Sequence, residues 1–200
     1  MNYEAKWNQG ISYESYRNLI SELLENHLST GPNQSDALFH YSELNSQRMH
    51  RLDKTFDPSK FDLSAFSEAK HVRVLVITEG WCGDASQSVP VITKTMASVG
   101  IEVRFVLRDE HPDLMDLHLV NGGRSIPVMI LLDDNFDVID TWGPRPAPIQ
   151  KIMMAHKHAP EPKISHEEIA KEIQLWYKKD KQQHMINEWS LLFKGIAVPH

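Results

Sequence analysis

The apolar run Val72, Val74, Leu75, Val76 and Ile77 restricts the fold of this chain more than any other feature. A continuous β-branched stretch suits a strand buried on both faces, in the middle of a sheet. It leads through Glu79 and Gly80 into Trp81-Cys82-Gly83-Asp84, and the spacing of Val89, Ile92 and Met96 predicts a helix over 84–98. Pro90 falls inside that helix and is expected to kink it, because its ring removes one backbone donor. A second strand is expected over 101–107, parallel to the first, because a strand–helix–strand unit closes with a right-handed crossover.

The remaining segments extend this core. A short helix over 113–119, a strand over 126–132 and a strand over 136–141 follow, with Asp133-Asp134-Asn135 as the hairpin turn. Before the core, helices are expected over 12–29, capped by Ser12 and closed by Gly31-Pro32, over 35–54, and over 63–69. After it come a helix over 146–158, a Pro-rich break at 159–162, and one long helix that starts at the capping box Ser165–Glu168 and reaches Phe193. Trp7, Trp176 and Trp189 lie outside the core and are expected to pin the added helices to it. The reading is an α/β fold: a central mixed sheet flanked by helices (71–145), with an N-terminal helical extension (1–70) and a C-terminal helical extension (146–200). These are expected to form one unit, since no linker is long or polar enough to separate domains.

Charge and cysteine usage narrow the function. Lys and Arg number 21 against 27 Asp and Glu, a formal net charge of −6, which argues against a general nucleic-acid binder. No apolar run approaches the ~20 residues of a membrane helix, and the N-terminus lacks a basic-then-apolar signal pattern. A cytoplasmic protein is expected, and the single cysteine, Cys82, agrees, because an intrachain disulfide is impossible.

Trp81-Cys82-Gly83-Asp84, between a buried strand and a helix, resembles the thioredoxin active-site turn. Roughly 45 residues on, Ser125-Ile126-Pro127 precedes a strand, as the cis-proline of that family does. The chain further resembles a bacterial subgroup of the thioredoxin-like superfamily with a WCGDA motif. Asn45–Thr55 (NSQRMHRLDKT), Arg108–Pro112 (RDEHP), Gly122–Pro127 (GGRSIP) and Trp142–Pro146 (WGPRP) carry that likeness over nearly the whole sequence. The resemblance implies a thioredoxin-like core, a cis-Pro127, and a site made of Cys82 as the reacting residue with Trp81, Gly83, Asp84, Ala85, Ile126 and Pro127 shaping it.

Residue chemistry bears on the same site. A thiol attacks as thiolate, and a helix N-terminus lowers a cysteine pKa, so Cys82 is expected to be activated; that it lies at the surface of the site is what the likeness to the thioredoxin turn implies. Trp81 would shield one side, Gly83 would allow close approach of a partner, and the Ile126 backbone beside Pro127 would be free to pair with an extended substrate. Asp84 cuts both ways: its carboxylate opposes thiolate formation yet can cap the helix. Ala85 stands where dithiol thioredoxins carry the second cysteine, so a mixed disulfide on Cys82 needs an external thiol, from a protein or a low-molecular-weight compound. The expected function is therefore monothiol thiol–disulfide exchange without a bound cofactor; a non-enzymatic binding or adaptor protein and a single-cysteine redox sensor are the alternatives. Asp109, Glu110 and His111 either line the cleft or form a solvated loop. Arg124 and Arg145 either attract an anion or make surface salt bridges. His156 and His158, two apart on a helix, do not share a face, and no metal site is expected.

Overall fold

The computed structural model describes residues 1–69 and 71–197. Its core begins at β1 (Arg73–Thr78), whose residues from Val74 onward are all buried. β2 (Val103–Leu107) pairs parallel to β1 on one side, and β3 (Val128–Leu132) pairs antiparallel on the other. β4 (Val138–Trp142) closes the far edge antiparallel to β3, giving the order β2-β1-β3-β4. The burial of β1 and β3 along their full apolar runs follows from their central places, while β4, exposed in four of its five positions, is an edge strand. The opposite edge is blunted: Ile11 exchanges two backbone hydrogen bonds of 2.9 Å with Phe105 of β2.

Before the sheet, α1 (Tyr3–Gln9), α2 (Tyr13–Glu25), α3 (Asp36–Thr55), a 3-10 turn at Pro58–Lys60 and α4 (Ser64–Ser67) form the N-terminal extension. Ser12 and Ser35 cap α2 and α3 by accepting backbone N–H bonds from Ser15 and Leu38. α1 was not legible in the pattern, although Asn2 caps it and its Trp7, 4% exposed, is buried under the Arg104 guanidinium. α2 stops well before Gly31-Pro32, because His27 takes a left-handed conformation and the Leu28 N–H bonds back to the Leu23 carbonyl.

Between β1 and β2 runs α5 (Ala85–Val99), which continues through Pro90 as one helix and packs on α3. α6 (Pro112–Met115) is shorter than the sequence suggests. After β4 come α7 (Ala147–His158), α8 (His166–Asp180) and α9 (Gln183–Ala197). The expected capping box is present, with Ser165 and Glu168 bonding reciprocally. The single long helix is not: Lys181 and Gln182 both adopt left-handed conformations, and the chain turns there. α9 returns to the core, where Trp189 meets Trp142 edge-on at 5.2 Å and Phe193 packs 4.8 Å from Phe66. Among the described residues no helix is long and apolar enough to cross a membrane.

Candidate active site at the β1–α5 turn

The end of β1, the start of α5 and the Ile126-Pro127 bond converge. The Ile126-Pro127 peptide is cis, and the Cys82 thiol donates to the Ile126 carbonyl at 3.2 Å. The Ala85 N–H, at the helix start, donates to Cys82 Sγ at 3.5 Å. The turn, the helix N-terminus and the proline loop are therefore brought together, and Ala85 occupies the third position after the cysteine. Cys82 is the chain's one cysteine and is unpaired.

Three expectations about the turn need correction. Cys82 is not at the surface: it is 8% exposed, with its thiol turned toward the Ile126 carbonyl. Its pKa does not fall. Burial, reinforced by the neighbouring Asp84 carboxylate, pushes the thiol up to about 12 from an ordinary 9.0, and the Ala85 and Asp84 backbone N–H groups and Arg145 offset only part of this. The local advantage of a helix N-terminus loses to desolvation. Nor does Asp84 cap α5, since its side chain makes no capping bond.

Asp84 is instead the centre of a buried ionic cluster. One carboxylate oxygen accepts from Arg145 Nε at 2.9 Å and Nη2 at 2.8 Å, and the other accepts from the Tyr177 hydroxyl at 2.9 Å. The Asp84 and Arg145 side chains are only 13% and 14% exposed, so the pair is largely dry. Burial raises the Asp84 pKa while Arg145 and Tyr177 pull it down; burial and Asp84 together hold the Tyr177 phenol well above its usual value. Arg145 thus makes a salt bridge, the second of its two readings, but a buried one at the turn instead of one at the surface. Arg124 makes the surface one, in a two-pronged pair with Asp116 at 2.6 and 2.7 Å.

The remaining residues frame this centre. Trp81 is half-buried, with the Arg108 guanidinium 4.6 Å over its ring. Ile126 and Pro127 are both buried, and of the Ile126 backbone, expected to be free for a substrate, the carbonyl accepts from the thiol. Gly143, at φ +140, lies so close to the proline loop that a Cβ there would fall 2.2 Å from the Pro127 carbonyl oxygen. Asp109 is drawn toward the core: its backbone N–H donates to buried Glu79 at 2.9 Å, and its carboxylate pairs with Arg108. His111 meets Lys6, and His156 bonds the Ile164 carbonyl.

Sequence reasoning missed the groups that arrive from the extensions. Asn45 of α3, fully buried, donates to the Gly80 carbonyl at 3.2 Å and accepts from Arg48 at 2.8 Å. Gln174 of α8 donates to the Gly83 carbonyl at 3.4 Å and accepts from Gln87 at 2.7 Å. The only sequence signal for any of them was the NSQR stretch, which marked a likeness and no role.

Removing the Asp84 charge tests the electrostatic account. Asp84→Asn is expected to lower the Cys82 pKa by about one unit, since a full charge near a buried sulfur contributes on the order of 1–2 kcal/mol. Ultraviolet titration of the thiolate reads this directly, and an unchanged midpoint would leave desolvation as the whole cause.

Comparison with known proteins agrees with this geometry. No curated protein matches the chain. Two solved structures are similar: a protein of unknown function from Pseudomonas aeruginosa, at 15% identity and a TM-score of 0.60 over 95% of both chains, and an HIV epitope scaffold, at 16% identity and a TM-score of 0.53 over 88% of this chain and 97% of the other. At such identities the likeness concerns the fold alone. A family model described as thioredoxin matches residues 31–161, which include the turn, the cis-proline loop and Arg145. The chain belongs to the thioredoxin family.

Proposed function

We propose that the protein is a monothiol thiol–disulfide exchange protein of the WCGDA subgroup, working in the cytoplasm as one unit built from the core and both extensions. The observation that carries this reading is Cys82 at the β1–α5 turn, 3.2 Å from the carbonyl before cis-Pro127, with no second cysteine in the chain. In the reaction the Cys82 thiol gives its proton to solvent, and its sulfur attacks one sulfur of a disulfide. A new S–S bond forms to that half as the old one breaks, and the other half leaves as a thiolate. An external thiol then reverses the step on the adduct and regenerates Cys82. Trp81, Gly83, Ile126 and Pro127 shape the approach, and the partners are protein or low-molecular-weight thiols and disulfides.

The resting thiol is protonated, so the rate is expected to follow the scarce thiolate. Adduct formation on Cys82 with an oxidised low-molecular-weight thiol, read by mass spectrometry, should climb about tenfold per pH unit from neutrality to pH 10. An ordinary exposed cysteine levels off near its pKa of 9.0. Failure to form any adduct across that range would defeat the exchange reading.

The burial of Cys82 favours a second reading, a binding protein that keeps the thioredoxin groove without turnover. Under it, Cys82→Ser binds protein partners as the native chain does; under exchange, that substitution abolishes covalent capture.

A further inference from the structure

α3 presents two side chains, Asn45 and Arg48, to the turn that carries Cys82. Asn45 is fully buried and spends both ends of its amide: Nδ2 on the Gly80 carbonyl, Oδ1 on Arg48 Nη1 at 2.8 Å. Arg48 is thereby fixed in direction by a residue that is itself fixed to the turn. Its Nη1 lies 3.9 Å from the point where a side chain at Gly83 would begin.

Arg48 is half-buried, yet among the described residues no carboxylate pairs with it and Asn45 is its one hydrogen-bond partner. Burial, and after it a second cation, Arg51, lower its pKa. Asp84, the nearest acid in sequence to Gly83, is already committed to Arg145 and Tyr177. A guanidinium carries five donors in a planar fork matched to a carboxylate, and Asn45 engages only one of its two Nη groups, so the rest of the fork is open to a ligand. Beside it, Gln174 Nε2 sits 3.4 Å from the same point over Gly83 and adds a neutral donor, its amide held by Gln87 and the Gly83 carbonyl. Two donors, one of them cationic, thus face the same point over the glycine next to Cys82.

We propose that Arg48, aimed by Asn45 at the Gly83 face of the turn, binds a carboxylate of a small acidic thiol or disulfide. The inference rests on the exchange reading for what happens at sulfur, but carboxylate binding itself does not require reaction. Gln174 shares the carboxylate through its Nε2, and the ligand's sulfur is delivered toward Cys82.

Two measurements separate the site from the chemistry. S-methylglutathione, an unreactive acidic thioether, is expected to bind the native protein in a titration followed by amide chemical shifts. Arg48→Gln, which retains a donor for Asn45, should weaken that binding at least tenfold, and Arg48→Lys, which keeps the charge and loses the fork, should fall between them. Absence of binding at millimolar ligand, or equal binding by native protein and a folded Arg48→Gln, overturns the proposal whatever Cys82 does. In the second measurement, Cys82 adduct formation is compared for oxidised glutathione and for the neutral 2-hydroxyethyl disulfide. Arg48→Gln should slow the first about tenfold and leave the second unchanged; equal slowing of both overturns carboxylate recognition. Absence of adducts with both disulfides in the native protein defeats exchange alone and leaves the binding result standing on its own.

Discussion

Gly143→Ala is expected to destabilise the protein by about 3 kcal/mol or more and to disorder the proline loop first. Two penalties coincide at this position. The backbone holds φ at +140, a region that side chains rarely occupy. The added methyl would lie 2.2 Å from the Pro127 carbonyl oxygen, 3.2 Å from its carbonyl carbon and 3.3 Å from Val128 Cα, all backbone atoms that no rotamer change can move aside. Either the end of β4 or the Ile126–Val128 segment must retreat, and the latter carries the acceptor of the Cys82 thiol. Urea unfolding reads the loss of stability. Hydrogen exchange at Val128, alkylation of Cys82 and the Cys82 titration midpoint read the local effect. A variant with native stability and an unmoved thiol midpoint would show that the close approach of Gly143 to the loop has no energetic weight.

That contact also shows what the sequence can and cannot convey. The strands and α5 were legible because their cause is local: the run from Val74 to Ile77 is short and β-branched, which suits a buried strand, and the face of Val89, Ile92 and Met96 has a helical period. The cis-proline loop was legible as a resemblance, through its spacing from Trp81-Cys82-Gly83-Asp84. The break between α8 and α9 was not, because Lys181 and Gln182 take left-handed conformations without the glycine that normally announces one. The ionic cluster was illegible for another reason. Asp84 lies 61 residues from Arg145 and 93 from Tyr177, so only the folded chain brings the three together. The direction of the Cys82 pKa was misread because the rule available from sequence, a helix N-terminus favouring a thiolate, is a local one. Desolvation depends on what the folded chain packs around the sulfur, and it prevails.

The raised thiol pKa carries a consequence for alkaline stability, and Cys82→Ser isolates it. A thiol that titrates at about 12 in the folded chain and near 9.0 when unfolded holds its proton more tightly in the native state. Below pH 9 both states are protonated and the stabilisation is complete. Between pH 9 and 12 the unfolded chain ionises while the folded one does not, so stability falls as pH rises, by about 1.4 kcal/mol per pH unit. Serine does not titrate there, and its hydroxyl can still donate to the Ile126 carbonyl. The buried phenols of Tyr16 and Tyr177, also held above their usual value, destabilise both proteins in the same direction and largely cancel in the comparison. The stability difference between native protein and Cys82→Ser, from urea unfolding, should be flat up to about pH 8.5 and shift by about 2 kcal/mol in favour of serine by pH 10.5. Parallel curves would mean that the folded thiol titrates like a free one. The buried, charge-opposed sulfur on which the pH dependence of exchange rests would then not exist.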